Sequence, residues 1–453
     1  MKFKSINPYS LQVVEEFESL TDKEVMQKLE VADDTFSRWK SVPFASRSER
    51  MLEAARILRV NKDTCARNIT IEMGKTLKEA IAEIEKCAWA CEYYAAHAAG
   101  FLADEHIKTD APESFVRYDP IGTILAIMPW NYPYWQVFRF AAPALMAGNV
   151  CVLKHAPNVF RCALDIQMVF RNAGFPEGAF QSLIVDVDQV APIISHPGVK
   201  AVTLTGSEGA GASVASWAGK NGKKTVLELG GSNAFVVLDD ADLEAAVNVG
   251  VQARMMNAGQ SCIAAKRFIL VEEIANEFME KFREKVVALR AGDPLDDRTD
   301  IGPLARKDLA DKLEDQVNRS LALGAKAVCG AKRMDNFYLP TILTGVSPGM
   351  PAFDEELFGP VAAVTVAGSD DDALKLANAS NFGLGLSVFT KSKTRAEKFI
   401  AHSEDGAVFI NGLVKSDPRL PFGGTKHSGY GRELSSHGIR EFVNVKTVWV
   451  GKW

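Results

Sequence analysis

From about residue 120 the chain alternates short apolar runs with stretches of helical period. The runs lie at 124–128, 150–153, 182–185, 201–204, 225–229 and 234–238. They are strand-length and apolar throughout, the pattern of strands covered on both faces. A helical segment at 161–172 stops at Gly174 with Pro176 beyond, the usual C-terminal punctuation. Buried strands alternating with helices predict a parallel, doubly wound sheet. A second α/β segment begins after the Gly230-Gly231 turn. Its predicted helices are 242–256, 273–289 and 307–323, and its strands 268–271, 361–366, 386–389 and 408–411. The tail 442–450 alternates as a strand does, so it must pair with another element or another subunit. Before residue 100 the pattern reads as helical. Thr21 with Glu24, and Ser46 with Glu49, form capping boxes. Met51, Ala54, Ala55 and Leu58 share a face, and after a break at 72–75 a long helix resumes over 76–100.

At 453 residues the chain is too long for one ordinary core, and the border near 230 is a turn rather than a tether. A net charge of -5 favours neither nucleic acid nor an anionic membrane as partner. The first residues hold no signal-peptide core, and no window approaches the ~18 apolar residues of a membrane helix. The seven cysteines (65, 87, 91, 151, 162, 262, 329) form no CxxC pair and no metal spacing. An odd count in a large chain suits a reducing cytoplasm.

Two turns carry candidate chemistry. Asn257-Ala258-Gly259-Gln260-Ser261-Cys262 puts a cysteine after small residues, and Glu228 closes a strand just before Gly230-Gly231. A thiol needs a base, a dipole or desolvation nearby to act as a nucleophile, and a carboxylate can manage its protons or its water. The plainer reading is a buried, inert cysteine. Thr205-Gly206-Ser207-Glu208-Gly209-Ala210-Gly211 joins a strand to a helix, where backbone N–H groups can face an anion, but its glycine spacing is not the G-x-G-x-x-G fingerprint. Pro129-Trp130-Asn131-Tyr132-Pro133 is a stiff loop whose amide suits an oxyanion; read alone, it is equally a packing turn. Lys154 ends a strand at the edge where open α/β sheets bind ligands, and His155 beside it reads as incidental.

In one order these stretches resemble the aldehyde dehydrogenase superfamily over essentially the whole length. The resemblance rests on Glu-Met-Gly-Lys at 72–75, Pro-Trp-Asn-Tyr-Pro at 129–133, Val-Leu-Lys at 152–154 and Leu-Thr-Gly-Ser at 204–207. It continues through Glu-Leu-Gly-Gly at 228–231, Gly-Gln-Ser-Cys at 259–262, Glu-Leu-Phe-Gly-Pro at 356–360 and Pro-Phe-Gly-Gly at 421–424. It implies two α/β domains, a dinucleotide-binding one from 1–102 and 120–229 and a catalytic one from 230–431. A small β oligomerisation element, 103–119 with 432–453, would make a homodimer or homotetramer. It implies Cys262 as nucleophile, Glu228 as base for the hydrolytic water and Asn131 as oxyanion donor. Lys154 would bind the adenosine ribose, Gly206 and Ser207 lie near the pyrophosphate, Glu356 hold the nicotinamide ribose, and Phe358 and Trp130 flank the cofactor. Many NAD-using members carry an acid three positions after the lysine. Pro157 stands there and cannot repel a 2′-phosphate, so NADP is expected over NAD.

Within the superfamily the resemblance is strongest to short bacterial NADP-type succinate-semialdehyde dehydrogenases, which implies a small aldehyde carrying a carboxylate. Arg139 would meet that carboxylate, with Ser261, Lys415 and Ser416 lining the site; a structural salt bridge is the other reading of Arg139. Met256 stands where some relatives carry a further arginine, Arg254 lies on another helical face, and Ala264 rules out a disulfide two residues after Cys262. The alternatives are a dehydrogenase of apolar or amino aldehydes, and a nucleotide-binding or structural relative that has lost the reaction.

Overall fold

The structure, a computed structural model, describes residues 2–453. A six-stranded sheet runs Gly429–Tyr430, Lys224–Glu228, Val199–Thr205, Thr123–Met128, Val150–His155, Phe180–Ser182. All neighbours are parallel except the first pair. Every residue of Val150–His155 is buried, because helices Asp22–Trp39, Trp135–Ala147 and Phe160–Asn172 pack around this part of the sheet. A seven-stranded sheet orders Lys326–Cys329, Thr341–Thr344, Val361–Ala367, Ala265–Val271, Asn233–Val237, Leu386–Phe389, Val408–Ile410. Only Lys326–Cys329, at its edge, is antiparallel. Two apolar clusters centred on Phe268 and Ile269, neighbours in one strand, cover its two faces. The architecture is the predicted α/β one, with both sheets wound by helices.

The tail strand Val443–Val450 pairs antiparallel with Glu113–Pro120, which also pairs with Glu105–His106. The predicted hairpin and tail thus form one small sheet. The stretch before the tail lies elsewhere than expected. Gly429–Tyr430 adds an edge strand beside Glu228, and helix Ser435–Arg440 packs on helices Leu77–Phe101 and Trp135–Ala147. Leu434, Ile439 and Phe442 therefore belong to the core of the first sheet, and only the last strand joins the small sheet.

Other differences are local. The N-terminus is not helical: Lys2–Ile6 and Val13–Glu18 form an antiparallel hairpin whose Phe3 and Phe17 close on Phe160. Thr21 and Glu24 make their reciprocal capping bonds. Ser46 and Glu49 do not, because the helix enters earlier, at Phe44 behind Pro43, whose ring presets the entry φ. The run at 182–185 is a strand only through Ser182, since its short edge position supplies ladder partners only over Phe180–Ser182.

Candidate active site

Helix Leu243–Met255 leads into a tight turn that carries Cys262. Asn257 (φ 56) and Ala258 (φ 50) both sit in the left-handed region, which costs a non-glycine residue ~1–2 kcal/mol. The turn is held from several directions. Asn257 Nδ2 donates to Asn131 O (2.9 Å) and Gln260 O (3.0 Å), and Asn257 N to Glu79 Oε1 (2.7 Å). Arg254 Nη2 donates to Gly259 O (2.6 Å), and Lys266 Nζ to the carbonyls of Ser261 (2.8 Å) and Cys262 (2.9 Å). Gly259 has φ +71, and a Cβ there would lie 2.2 Å from Gly359 O.

Cys262 stands where two cavities meet. One, about 320 Å³, is lined by Trp130, Asn131, Gly206, Ser207, Glu356 and Phe358 among others. The other, about 210 Å³, is lined by Trp135, Arg139, Ser261, Lys415, Ser416 and Phe422 among others. Burial pushes the Cys262 thiol up to about 11, against the opposing pull of Arg139 and Lys266. The resting group is therefore a thiol, and thiolate forms only as its proton is taken.

Asn131 is aimed at the cysteine turn by two buried devices. Glu83, paired with Lys75, accepts from the N–H groups of Tyr134 and Trp135 (2.9 Å each), which caps the helix just past Asn131. His155 holds the same loop to its strand. Nε2 lies 2.9 Å from Pro133 O, and Nδ1 lies 2.9 Å from Ala156 N and 3.2 Å from Met128 O. Burial depresses this imidazole to about 4, so it stays neutral. Asn131 Nδ2 spends one hydrogen on Gln260 O (3.2 Å), and the other has no protein acceptor among the described residues. The Glu72 of the first motif caps too, accepting from Arg161 N (3.1 Å) and Cys162 N (3.0 Å).

Glu228 is 2 % exposed, and neither of its oxygens has a hydrogen-bond partner among the described residues. Burial raises it to about 8, Arg139 draws it down and Glu433 pushes it up. Gly423 makes room for it: a Cβ there would lie 2.8 Å from Glu228 Oε1. Arg139, which lines the second cavity, has a carboxylate partner within the protein. Its Nε pairs with Glu433, Nη2 donates to Thr205 Oγ1 (3.1 Å), and the guanidinium lies over the Phe422 ring. The salt bridge named as the other reading of Arg139 is present, beside its place in the lining of that cavity. Burial raises Glu433 as well, against the pull of Arg139.

On the other side, Ser207 caps helix Glu208–Lys220 and Gly206 N donates to Glu228 O (3.0 Å). Gly211 lets that helix close on its strand, for a Cβ would meet Leu229 at 2.6 Å. Lys154 is 6 % exposed without a protein hydrogen-bond or ion-pair partner among the described residues, and burial lowers its pKa. Pro157 opens the short turn Pro157–Val159. Glu356 accepts from Gly231 N (3.0 Å) and pairs with Lys266 Nζ (3.3 Å), while Phe358 meets Trp130 edge-on. Burial draws Lys266 down to about 8. Ser261 Oγ is buried without a partner and Ser416 Oγ accepts two hydrogen bonds, whereas Lys415 is exposed at the rim.

Sequence reasoning missed Lys86, Lys266 and Glu433, and named Asn257 only as the start of the cysteine turn. Only Glu433 had a signal: it follows the Gly-rich run after Pro421 as the one carboxylate between 418 and 440. A larger cleft of about 730 Å³ lies by the N-terminal hairpin, but its cations Lys4, Arg306, Lys307 and Arg333 are all paired with carboxylates.

A half-buried thiol and an amide at the cavity junction, with a buried carboxylate nearby in an α/β frame, form a candidate site for cysteine-dependent dehydrogenase chemistry. The chain belongs to the aldehyde dehydrogenase family, whose profile matches residues 1–448. It is 51 % identical over 453 residues to the probable succinate-semialdehyde dehydrogenase [NADP(+)] of Synechocystis sp., covering 99 % of this chain and 100 % of that one. It is 49 % identical over 456 residues to succinate-semialdehyde dehydrogenase [NADP(+)] 1 of Mycobacterium tuberculosis, with the same coverage. The crystal structure of succinic semialdehyde dehydrogenase from Streptococcus pyogenes in complex with NADP+ superposes with a TM-score of 0.97 at 38 % identity, covering 99 % of this chain and 100 % of that one.

Proposed function

We propose that this enzyme oxidises succinic semialdehyde to succinate with NADP as preferred coenzyme and NADP replaceable by NAD. The observation that carries the reading is the placement of Cys262 at the junction of two cavities, within reach of both a cofactor side and a substrate side. Dinucleotide binding is supported by Lys154, a buried cation without a protein partner, and by the open first turn of the helix capped by Ser207. Lys154, Gly206, Ser207, Glu356, Phe358 and Trp130 would hold the coenzyme, which supplies a hydride acceptor when bound. The absence of a carboxylate at Pro157 supports NADP.

The chain's own chemistry follows from the geometry. Sγ gives its proton to water or to ionised Glu228 and bonds to the aldehyde carbon, whose C=O electron pair moves onto the carbonyl oxygen as charge. The free hydrogen of Asn131 Nδ2 and the Cys262 N–H, which has no protein acceptor among the described residues, receive that oxygen. Each such donor is worth ~2.7–4 kcal/mol. After oxidation the acyl group remains on sulfur. Glu228, ionised, takes a proton from water, whose oxygen displaces the thiolate to release the acid.

The reading extends to two α/β domains divided near residue 230 and to a homodimer or homotetramer. Assembly is supported by the small sheet, whose last strand exposes Val445 and Trp449. No helix among the described residues is long and apolar enough to cross a membrane, which agrees with a cytoplasmic enzyme. The test is initial rate with succinic semialdehyde and NADP or NAD in turn, with Cys262→Ala as control. Fast NADP reduction that disappears in the variant supports the proposal; a wild type that oxidises only uncharged aldehydes overturns the substrate.

A further inference from the structure

We propose that Lys266 is a positioning residue for the nucleophile: it orients and polarises the Ser261–Cys262 peptide, whose N–H would receive the oxyanion, and it favours the thiolate. This rests on the reading of Cys262 as nucleophile and adds a residue that none of the motifs contains.

The geometry carries the inference. Lys266 stands near the start of strand Ala265–Val271, which is buried along its whole length between Asn233–Val237 and Val361–Ala367. Its backbone is thus a fixed anchor, and its side chain folds back over the turn before it. Nζ donates to Ser261 O (2.8 Å) and Cys262 O (2.9 Å) and lies 3.3 Å from Glu356 Oε1. These acceptors use all of its N–H bonds, in a site closed to solvent. Ser261 O and the Cys262 N–H lie on opposite edges of one planar trans peptide. An ammonium fixed on the carbonyl edge therefore aims the N–H away from itself, and by drawing charge toward the oxygen makes that N–H a stronger donor. The N–H has no protein acceptor among the described residues, so it is left for a ligand.

The charges facing this pair come from several elements. Glu356, which lines the coenzyme-side cavity, is the one carboxylate within ion-pair distance of Nζ among the described residues. Arg254 repels Lys266 from helix Leu243–Met255 and itself holds the turn at Gly259 O. Arg139, paired with Glu433, and Glu228 act on Cys262 from helix Trp135–Ala147 and strand Lys224–Glu228. Tyr132 is a neutral phenol raised by burial, and Lys86 shares the second cavity. Burial draws Lys266 down to about 8 against the pull of Glu356, so it is mostly charged at neutral pH. Burial raises Cys262, and Arg139, then Lys266, pull it back. Of these two cations, Lys266 is the one hydrogen-bonded to the cysteine's own backbone. Loss of its charge leaves the thiol harder to ionise.

The experiment is run in Glu228→Gln, where acylation stands alone as one burst of reduced coenzyme per site. Adding Lys266→Met keeps the stem and removes the charge and the donors. It should leave the burst amplitude and cut the burst rate constant about 10- to 100-fold. Iodoacetamide alkylation of Cys262 at pH 7 should slow about tenfold, the worth of one pKa unit, and Lys266→Arg in its place should recover most of that rate. Burst and alkylation rate constants within twofold of the parent overturn the inference, as does a lowered amplitude with unchanged rate constants, the mark of a merely structural role.

A second measurement needs no change at Lys266. Adding Lys86→Met to Glu228→Gln removes two other groups that burial brings to about 8. Alkylation should then rise about tenfold per pH unit up to about 8, and fall about tenfold short of that line by pH 10 as Lys266 loses its proton. An unbroken line overturns the inference whether or not the methionine variant at 266 folds. A Glu228→Gln parent without a burst, or activity that survives Cys262→Ala, overturns the reading of the nucleophile and the inference with it.

Discussion

Replacing Glu228 by glutamine should make the protein more stable at high pH while stopping turnover. The carboxyl is 2 % exposed with both oxygens unpartnered among the described residues, and burial raises it from 4.5 to about 8. The folded state therefore holds a proton that the unfolded chain releases above 4.5. A raised folded value means stability present below pH 4.5 and lost as pH climbs to about 8, at ~1.4 kcal/mol per pH unit. Over that window the loss is ~3–5 kcal/mol. Unfolding entropy of ~2.1 cal/mol/K per residue over this length makes 1 kcal/mol about 1 °C, so the shift is ~3–5 °C. The assay is thermal unfolding of coenzyme-free wild type and Glu228→Gln from pH 5 to 9. The two should nearly coincide at pH 5 and diverge above it, the variant melting higher at pH 9. In the same protein, kcat of wild type should rise toward pH 8 as Glu228 ionises, and the variant should give one burst of reduced coenzyme per site and then stall. Parallel melting curves at all pH values would refute a buried proton on Glu228.

Pro157→Glu, read as the kcat/KM ratio for the two coenzymes, should shift preference from NADP toward NAD by at least roughly tenfold, because a carboxylate there would face the 2′-phosphate. Gly259→Ala should lose most activity and soluble yield, since its Cβ would fall 2.2 Å from a backbone carbonyl and its φ of +71 disfavours a side chain; a fully active variant, measured by burst amplitude, would show that the cysteine turn is not rigidly held.

The sequence alone determined the layers of this protein and the groups proposed for its chemistry. Buried strands and their intervening helices follow from local apolar period, which is why Leu386–Phe389 is found where the pattern places it. The residues proposed to react, Cys262, Glu228 and Asn131, stand in short motifs whose glycines and prolines shape their own turns. The N-terminal hairpin was less legible, because Val13–Glu18 is mostly polar and becomes a strand only when Phe17 packs on Phe160. What tertiary structure decided is which charges meet. Arg139 and Glu433 are 294 positions apart, Lys86 and Ser416 330. Nothing in the spacing of either partner announces the other. An ion's energy depends on what lies within a few ångströms of it and on how much water is removed, and both are set only when the sheets and helices have closed. The arginine that the sequence offers as a substrate ligand is seen, once the chain has folded, to hold a buried counter-ion as well.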